Sequence, residues 1–536
     1  MKPRWALPRP ALASLLGLAL AFPPAATAAP PSFRGHRIAR VYILRRAIFD
    51  TSVPSENKRL YRFVNHLHFS TRDNTIRNQL LFKPGDPYDP DLAEETERAL
   101  RRILRLRDVH VRPMPVGNRR VDVVVETQDT WTTEPYASVS STGGETKYRF
   151  GVRERNLFGL GKQINVSYKK DLDNISRGLS YDDPGLFGTR LRLAGVYEDT
   201  DEGSARALKL ERPFFSSLTP FAFKGSGDYN KKDTLLYADG DEVARFTNED
   251  RSLGGGVGVS LWSTPRRIRR LGVAYRYEHE RLETPVPVPG LETDRVYHYF
   301  GPTLEWSRNR FITTDHIRLF SREEDYNMGP TLDLRAGFSS QRWVTGSRNA
   351  TSVEGVWSRG IARSRHAFAL LTVAGRGRYE NGWENAQQRW DLEYYNHAKK
   401  WTTWAAHAAW ENVLNPSVDT QLLLGGDRGL RGYPVSAFEG NRLFVANLEN
   451  RIFIVDDILN FFGLGAAAFA DVGYAWARGE PVKAADLRGD YGVGLRLHLS
   501  RASLGNVLRF DLAWPTRAHD DGNRSPVFTF ATGHVF

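Results

Sequence analysis

The residues best placed to do chemistry lie in two motifs late in the chain. A glycine-rich segment contains Leu430, Arg431, Gly432 and Tyr433, and a later segment of small and apolar residues contains Phe469 and Asp471. A guanidinium and a carboxylate form two parallel hydrogen bonds when they meet in the right orientation. The motifs therefore predict a buried contact between Arg431 and Asp471. That contact is either a purely structural lock on the loop or a functional one.

Catalytic motifs are missing from the sequence. It contains no H-E-x-x-H, no complete phosphate loop, no G-x-S-x-G elbow and no cysteine. We therefore expect no catalytic residues, no cofactor and no enzyme activity. His66 and His68 are spaced as a pair of metal ligands, but no convincing third ligand lies nearby, so ordinary surface histidines are favoured and no metal site is expected.

A row of arginines offers a second kind of interaction. Arg98, Arg101, Arg102 and Arg105 fall on one face of a predicted helix. Such a stripe is either a solvated helix face or a contact for anionic lipid headgroups or a passing acidic client. The formal net charge of the chain is +12, and we expect no nucleic-acid partner.

The first residues have the pattern of an export signal. Three basic residues precede an apolar stretch at 11–22 and a run of small residues at 25–29. This pattern predicts a signal peptide at 1–28, cleaved after Ala28. A retained anchor is the weaker alternative, because the apolar stretch is too short to cross a bilayer. Removal of Lys2, Arg4 and Arg9 lowers the charge from +12 to about +9.

Residues 33–130 have the pattern of a small α+β domain. Alternating apolar residues predict a strand within 37–49, and Thr71 is positioned to cap a helix over 71–81. Asp89 is positioned to cap a second helix with Pro90 in its first turn. Two strands follow at 109–111 and 121–125. The segment 51–70 is extra to this order and has the pattern of another helix, whose role the sequence does not assign.

From residue 133 to residue 536 the apolar period changes to two. Tyr491, Val493, Leu495, Leu497 and Leu499 share one face of a predicted strand, opposite Gly492, Gly494, Arg496 and His498. Repeated segments of this kind predict an all-β transmembrane barrel of about 16 antiparallel strands, at about 25 residues per strand and loop. A soluble sandwich or propeller also alternates, but it does not explain 13 Trp, 21 Tyr and 29 Phe beside a signal peptide.

The last residues have the pattern of a barrel-closing strand. Phe528, Phe530 and the terminal Phe536 lie on one face, with Gly533 between them. Aromatic residues in phase with the chain terminus predict that this strand faces lipid and completes the barrel.

Together these motifs resemble the outer-membrane assembly and secretion superfamily of the BamA/TamA type, which includes the bacterial surface antigen family. Leu430-Arg431-Gly432-Tyr433 is similar to the motif of the family's loop six, Phe469-Ala470-Asp471 to its Phe-x-Asp motif, and the last nine residues to its closing strand. The segment 154–161 is similar to its first hairpin. The resemblance implies a POTRA-like periplasmic domain at 33–130 and a 16-stranded outer-membrane barrel at 133–536, with loop six at about 424–442.

The resemblance also implies a mechanism. The loop folds into the lumen, its Arg–Asp lock tunes barrel opening, and a lateral gate lies between a first strand near 147–154 and a last strand at 527–535. Clients reach the gate through the POTRA-like domain, and outer-membrane lipids surround the barrel. Many assembly factors have several POTRA domains, whereas a single one fits here.

Three functions remain open from the sequence. The leading one is an outer-membrane translocator or insertase for client polypeptides. A secretion pore dedicated to one partner protein is closely related to it. A passive channel or surface structural protein belongs to a different class, and it requires neither a POTRA-like domain nor a loop lock.

Overall fold

The structure is a computed structural model that describes residues 33–533 apart from 143–144, 172–173, 202, 239–240, 285–292, 503–506, 519–521 and 523. The predicted signal peptide, 1–28, and Phe536 lie outside the described residues. No helix in the described ranges is long and apolar enough to cross a membrane.

The first folded unit is a small sheet with helices. Strands β1 (Arg37–Arg46), β2 (Val109–Pro115) and β3 (Arg120–Gln128) lie in the order β1-β3-β2, with β1 parallel and β2 antiparallel to β3. Between β1 and β2 are helices α1 (Arg59–Leu67), α2 (Asp73–Arg77) and α3 (Pro90–Ile103), and a 3-10 turn at Pro54–Glu56. Helix α1 is formed by the extra segment 51–70.

Local hydrogen bonds explain where these helices begin. The Asp89 carboxylate accepts a hydrogen bond from the amide of Asp91 at 3.0 Å, and Pro90 occupies the first turn of α3. Helix α2 is shorter than predicted, and Thr71 does not cap it. Its hydroxyl instead donates to the carboxylate of Asp129 at 2.6 Å.

The predicted barrel is confirmed. Among the described residues, twenty strands form one closed antiparallel barrel in chain order, and two small strand pairs lie outside it. The first barrel strands are β4 (Thr133–Thr142), β5 (Glu145–Leu157), β6 (Lys162–Asp171), β7 (Asn174–Asp183), β8 (Arg192–Thr200), β9 (Gly203–Arg212), β10 (Phe221–Ala238), β11 (Asp241–Ser260), β12 (Arg267–Glu283) and β13 (Asp294–Arg308). A 3-10 turn at Leu186–Gly188 lies between β7 and β8.

The remaining barrel strands are β16 (Thr331–Ser339), β17 (Ala350–Ser364), β18 (Ala367–Tyr379), β19 (Trp383–Lys399), β20 (Thr402–Leu414), β23 (Arg442–Ile458), β24 (Phe462–Trp476), β25 (Arg488–Leu499), β26 (Val507–Pro515) and β27 (Val527–Thr532). The small pairs are β14 (Phe311–Thr314) with β15 (Glu324–Asn327), and β21 (Leu422–Leu424) with β22 (Phe438–Gly440).

The strand count corrects the expectation of about 16. Several connections are tight, such as the two residues Arg365 and His366 between β17 and β18. Each strand with its connection therefore uses about 20 residues rather than about 25. The predicted alternation of faces is confirmed. On β25 the buried residues include Asp490, Gly492 and Arg496, and the exposed ones are Tyr491, Val493 and Leu495.

The first barrel strand is also not the one expected. The strand that pairs with β27 is β4, whereas the predicted strand at 147–154 lies in β5. Strand β4 reads TEPYASVSST, with a proline and few apolar residues, so it carries a weak period-two signal. The turn predicted within the first hairpin accordingly joins β5 to β6 and belongs to the second.

The small domain packs against one end of the barrel, called here the inner end. The hydroxyl of Tyr61 on α1 donates to the carbonyl of Leu459 at 2.7 Å. Its ring stacks on Phe49 at 4.5 Å, and Phe49 contacts Phe461 at 5.1 Å. The extra helix thus fastens the domain to the turn between β23 and β24.

Candidate functional site

The connection between β20 and β23, residues 415–441, folds back onto the inner wall of the barrel and is called here the re-entrant loop. It contains the β21–β22 pair, and the amide of Leu430 donates to the carbonyl of Gly425 at 3.0 Å. Leu424, Leu430 and Tyr433 are buried in an apolar cluster with side chains of the barrel wall, including Val445. Fifteen barrel strands precede this loop in the described part of the chain, so it is the eighth connection at the outer end in this structure.

Backbone requirements explain the glycines of this loop. Gly429 has a φ of 107°, in the region that favours glycine. A Cβ at Gly432 would lie 2.6 Å from the Cβ of Asp490. The loop approaches β25 so closely that a side chain at position 432 does not fit.

The structure brings Arg431 and Asp471 together. Nε and Nη2 of Arg431 donate to the two carboxylate oxygens of Asp471 at 2.8 and 2.9 Å, and Nη1 donates to Glu449 at 2.8 Å. The guanidinium lies 3.4 Å from the ring centroid of Phe469. Arg431 is 1% exposed. Full burial and charge-assisted hydrogen bonds make this a strong, orientation-specific contact.

The contact is part of a larger cluster of charges. Nη1 of Arg496 donates to Asp511 at 2.5 Å, and its Nη2 donates to Glu449 at 3.4 Å. Glu449 also accepts from Arg451 at 2.9 Å, and Asp511 from Arg509 at 3.2 Å. We call these seven residues the lumen charge cluster: Arg431, Glu449, Arg451, Asp471, Arg496, Arg509 and Asp511. They tie the re-entrant loop to β23, β24, β25 and β26.

Sequence reasoning did not assign the other five members. Each lies on the inward face of its strand, as Glu449 and Arg451 do at alternate positions of β23. The alternation in the sequence therefore indicates which way each charged side chain faces, but it does not indicate which residue that side chain contacts. Asp490 lies opposite Asp471 in the strand register and is buried as well. Removal of Arg431 would therefore leave two carboxylates side by side.

The closing strand lies where the sequence places it. Phe528 is exposed on the outer face, and the ring of Phe530 stacks on Phe510 of β26 at 4.8 Å. Gly533 follows the end of β27 with a φ of 88°. Between β27 and β4, three residue pairs oppose one another in the described part of the chain, from Phe528–Ser141 to Phe530–Val139. The barrel is therefore least sealed at this seam.

The four predicted arginines face the barrel in this structure. Arg98, Arg101 and Arg102 lie on α3, whereas Arg105 follows the end of the helix with a φ of 60°, so the predicted helix face does not extend to it. Arg101 donates to Asp325, with Nη2 at 2.8 Å from Oδ2, and the guanidinium of Arg98 lies 4.3 Å from the ring centroid of Phe311. Arg105 is half-buried, and Arg102 is exposed. All four line a cavity of about 580 Å³ between α3 and the barrel. In this arrangement the stripe lies at the inner mouth of the barrel rather than on a free helix face.

The structure places His66 and His68, the two histidines of the extra segment, outside any group of potential metal ligands among the described residues. Nε2 of His68 lies 3.6 Å from the carboxylate of Asp129. Among the described residues, neither His66 nor His68 belongs to a group of three potential metal ligands.

Comparison with known proteins gives two family matches. Residues 390–536 match the Omp85 superfamily domain. Residues 62–128 match the POTRA family, described as the surface antigen variable number repeat. No curated protein sequence matches the chain.

Similar solved structures come from three bacteria. BamA from Haemophilus ducreyi lacking POTRA domains 1–3 is 13% identical, with 92% of this chain and 84% of that chain covered and a TM-score of 0.37. CdiB from Acinetobacter baumannii is 11% identical, with coverages of 94% and 74% and a TM-score of 0.43. CdiB from Escherichia coli is 13% identical, with coverages of 92% and 76% and a TM-score of 0.45.

The C-terminal part of the barrel, residues 390–536, therefore has the signature of the Omp85 superfamily domain, and residues 62–128, ahead of the barrel, have that of a POTRA domain. An Omp85 barrel lies in the bacterial outer membrane with its POTRA domain in the periplasm, in agreement with the localisation predicted from the sequence. The family consists of non-enzymatic transporters, in agreement with the expectation that the chain is not an enzyme.

Proposed function

We propose that this protein assembles or exports client polypeptides through an opening of the seam between β4 and β27. The observation that carries the proposal is the short pairing there. Three residue pairs oppose one another across the seam in the described part of the chain, against ten between β4 and β5. Poorly paired backbone groups are costly in lipid, so the barrel opens at this seam at the lowest cost. The freed strand edge then pairs with an incoming client strand.

The other predicted elements have roles in the same proposal. The domain at 33–130 receives clients in the periplasm after export directed by the signal peptide 1–28, and the barrel at 133–536 inserts or releases them. Leu430, Arg431, Gly432 and Tyr433, with Phe469 and Asp471, hold the re-entrant loop and set the resting shape of the barrel. The arginines of α3 contact acidic client segments at the inner mouth. The free energy comes from burial of the client, so no nucleotide is required.

A disulfide across the seam tests this proposal. Thr529 and Ser140 lie opposite each other, and the chain has no cysteine of its own. We expect Thr529→Cys with Ser140→Cys to lose activity when oxidised and to regain it on reduction. Activity is measured in cells depleted of the native copy, by quantitative proteomics of outer-membrane and secreted proteins.

The matched control is Thr331→Cys with Ser358→Cys, a pair within the wall whose hydroxyls lie 2.6 Å apart. Its oxidation should leave activity unchanged. Full activity of the oxidised seam variant would rule out lateral opening and would leave transport through the lumen.

A further inference from the structure

A second insertion enters the barrel from the inner end. Residues 309–330, between β13 and β16, contain the β14–β15 pair and are called here the inner hairpin. Its Ile317 and Phe320 are buried. The carbonyl of Ile317 accepts a hydrogen bond from Arg451 of the lumen charge cluster at 2.6 Å, and the ring of Phe320 stacks on His498 at 4.8 Å. The hairpin therefore packs against the barrel wall close to the site described above.

The hairpin brings two potential metal ligands to a third one on the wall. Asp315 and His316 belong to the hairpin, and His397 lies near the inner end of β19. One ligand atom from each residue lies within 4.8 Å of the other two. Oδ1 of Asp315 is 2.8 Å from Nδ1 of His316 and 3.9 Å from Nε2 of His397. We propose that these three residues bind a divalent transition-metal ion of the zinc class.

The donor set fits that ion. Two imidazole nitrogens and one carboxylate oxygen are common zinc ligands, at about 2.0–2.2 Å from the metal, so tetrahedral donors lie about 3.3 Å apart. The two distances from Asp315 bracket that separation. Asp315 is partly exposed, whereas the side chain of His397 is 5% exposed, so small movements of the aspartate adjust the geometry.

The remaining nitrogens of both histidines already have partners. Nε2 of His316 lies 3.2 Å from the carboxylate of Asp456, and Nδ1 of His397 lies 2.8 Å from the hydroxyl of Thr403. In metal sites such outer contacts fix the ring orientation and select the nitrogen that faces the metal. Here they leave Nδ1 of His316 and Nε2 of His397 facing Asp315. The contacts around Asp315, His316 and His397 thus orient the two imidazole rings as the outer contacts of a metal site do.

The backbone of the hairpin holds His316 in place. His316 has a φ of 55°, which is uncommon for a histidine. Its amide donates to the carbonyl of Phe320 at 3.0 Å. The carboxylate of Glu324 accepts from the amides of the next three residues, 317–319. A third histidine, His366, lies beside the cluster, with its ring centroid 5.9 Å from that of His397.

A metal at this position would connect the inner hairpin to the barrel wall. Two ligands move with the hairpin and one belongs to β19, so bound metal would hold the hairpin against the wall and removal of the metal would loosen it. This inference does not depend on the seam between β4 and β27. The ligand atoms lie in the inner hairpin and on β19, and the motion concerned is that of the hairpin against the wall.

Metal titration of the full chain in detergent tests the inference. After treatment with EDTA and dialysis, we expect one zinc ion per chain by calorimetry and elemental analysis, and a visible absorption band of tetrahedral cobalt(II). His316→Ala and His397→Ala should each weaken binding by about tenfold or more. The control is His279→Ala, whose Nε2 contacts Asp294 at 2.8 Å. It should bind zinc like the unmodified chain.

Movement of the hairpin is measured with Ser321→Cys, an exposed position within it. Zinc should slow alkylation of this cysteine, and EDTA should restore the rate. Absence of saturable zinc or cobalt binding to the unmodified chain would overturn the inference whether or not the variants fold. Equal stoichiometry in the His316→Ala/His397→Ala double variant would overturn it as well.

Discussion

Replacement of Arg431 by methionine tests the re-entrant loop most directly, because it removes the charge and keeps most of the side-chain length. Arg431 makes two hydrogen bonds to Asp471 and one to Glu449, and it is 1% exposed. In the variant, the Asp471 carboxylate keeps the hydrogen bond from the side-chain amide of Asn447, which is 2.8 Å long. It also faces Asp490 across the strand register. A buried carboxylate is then left without its cation.

The expected loss follows from this stranded charge. Removing one partner of a buried ion pair costs roughly 3–5 kcal/mol. Glu449 keeps Arg451 and Arg496 as partners, so most of the loss comes from Asp471. For a chain of this size in urea, that loss lowers the unfolding midpoint by about 1 M. Arg431→Met combined with Asp471→Leu should recover most of the loss, because neither charge remains.

Two measurements check this prediction. Urea unfolding in detergent, followed by tryptophan fluorescence, gives the midpoint. Limited trypsin digestion reports release of the loop, because cleavage after Arg428 requires the loop to leave the wall. The control for the urea midpoint is Arg428→Ala, since its side chain is 35% exposed and its partner Glu411 also contacts Arg389. This variant lacks the trypsin site at 428, so it is compared by urea unfolding alone, and the digest is compared with that of the unmodified chain. That variant should cost about 1 kcal/mol or less. An Arg431→Met variant with an unchanged midpoint and an unchanged digest would refute the reasoning.

Two further predictions concern the POTRA domain. Replacing Arg98, Arg101, Arg102 and Arg105 by glutamate should weaken cross-linking of acidic client segments by about tenfold or more, because each cation near an anionic partner contributes about 1 kcal/mol. Unchanged cross-linking would show that these arginines do not contact the client. Docking of the domain should weaken in acid through Asp91. Burial acts to raise the pKa of Asp91, but hydrogen bonds from Arg266 and Arg34 outweigh it and hold that pKa below the ordinary value of 3.8. The docking contribution is thus complete above that value and is lost as the pH falls below it. Energy transfer between labels at the exposed positions 102 and 262 should decrease on acidification, and Asp91→Asn should remove most of this change.

Local patterns in the sequence determined which class of structure forms. A period of two over 133–536 predicts strands with one apolar face, and this followed from side-chain alternation alone. The cap of α3 at Asp89 was predictable for the same reason, since a helix start depends on residues a few positions apart. The glycines around Arg431 indicated a loop with special backbone angles, and Asp471 stood out as a charge in a strand of small residues.

The tertiary structure decided the features that depend on contacts between residues far apart in the sequence. Closure of the barrel selects β4 as the partner of β27 and sets twenty strands, because the hydrogen bonds between chain ends have no local signature. The lumen charge cluster joins four strands and a loop, so the partner of each charge was hidden until the strands came into register. The arginines of α3 face the barrel because the domain packs there. His316 and His397 meet because the inner hairpin folds back onto β19, a contact that no spacing along the chain predicts.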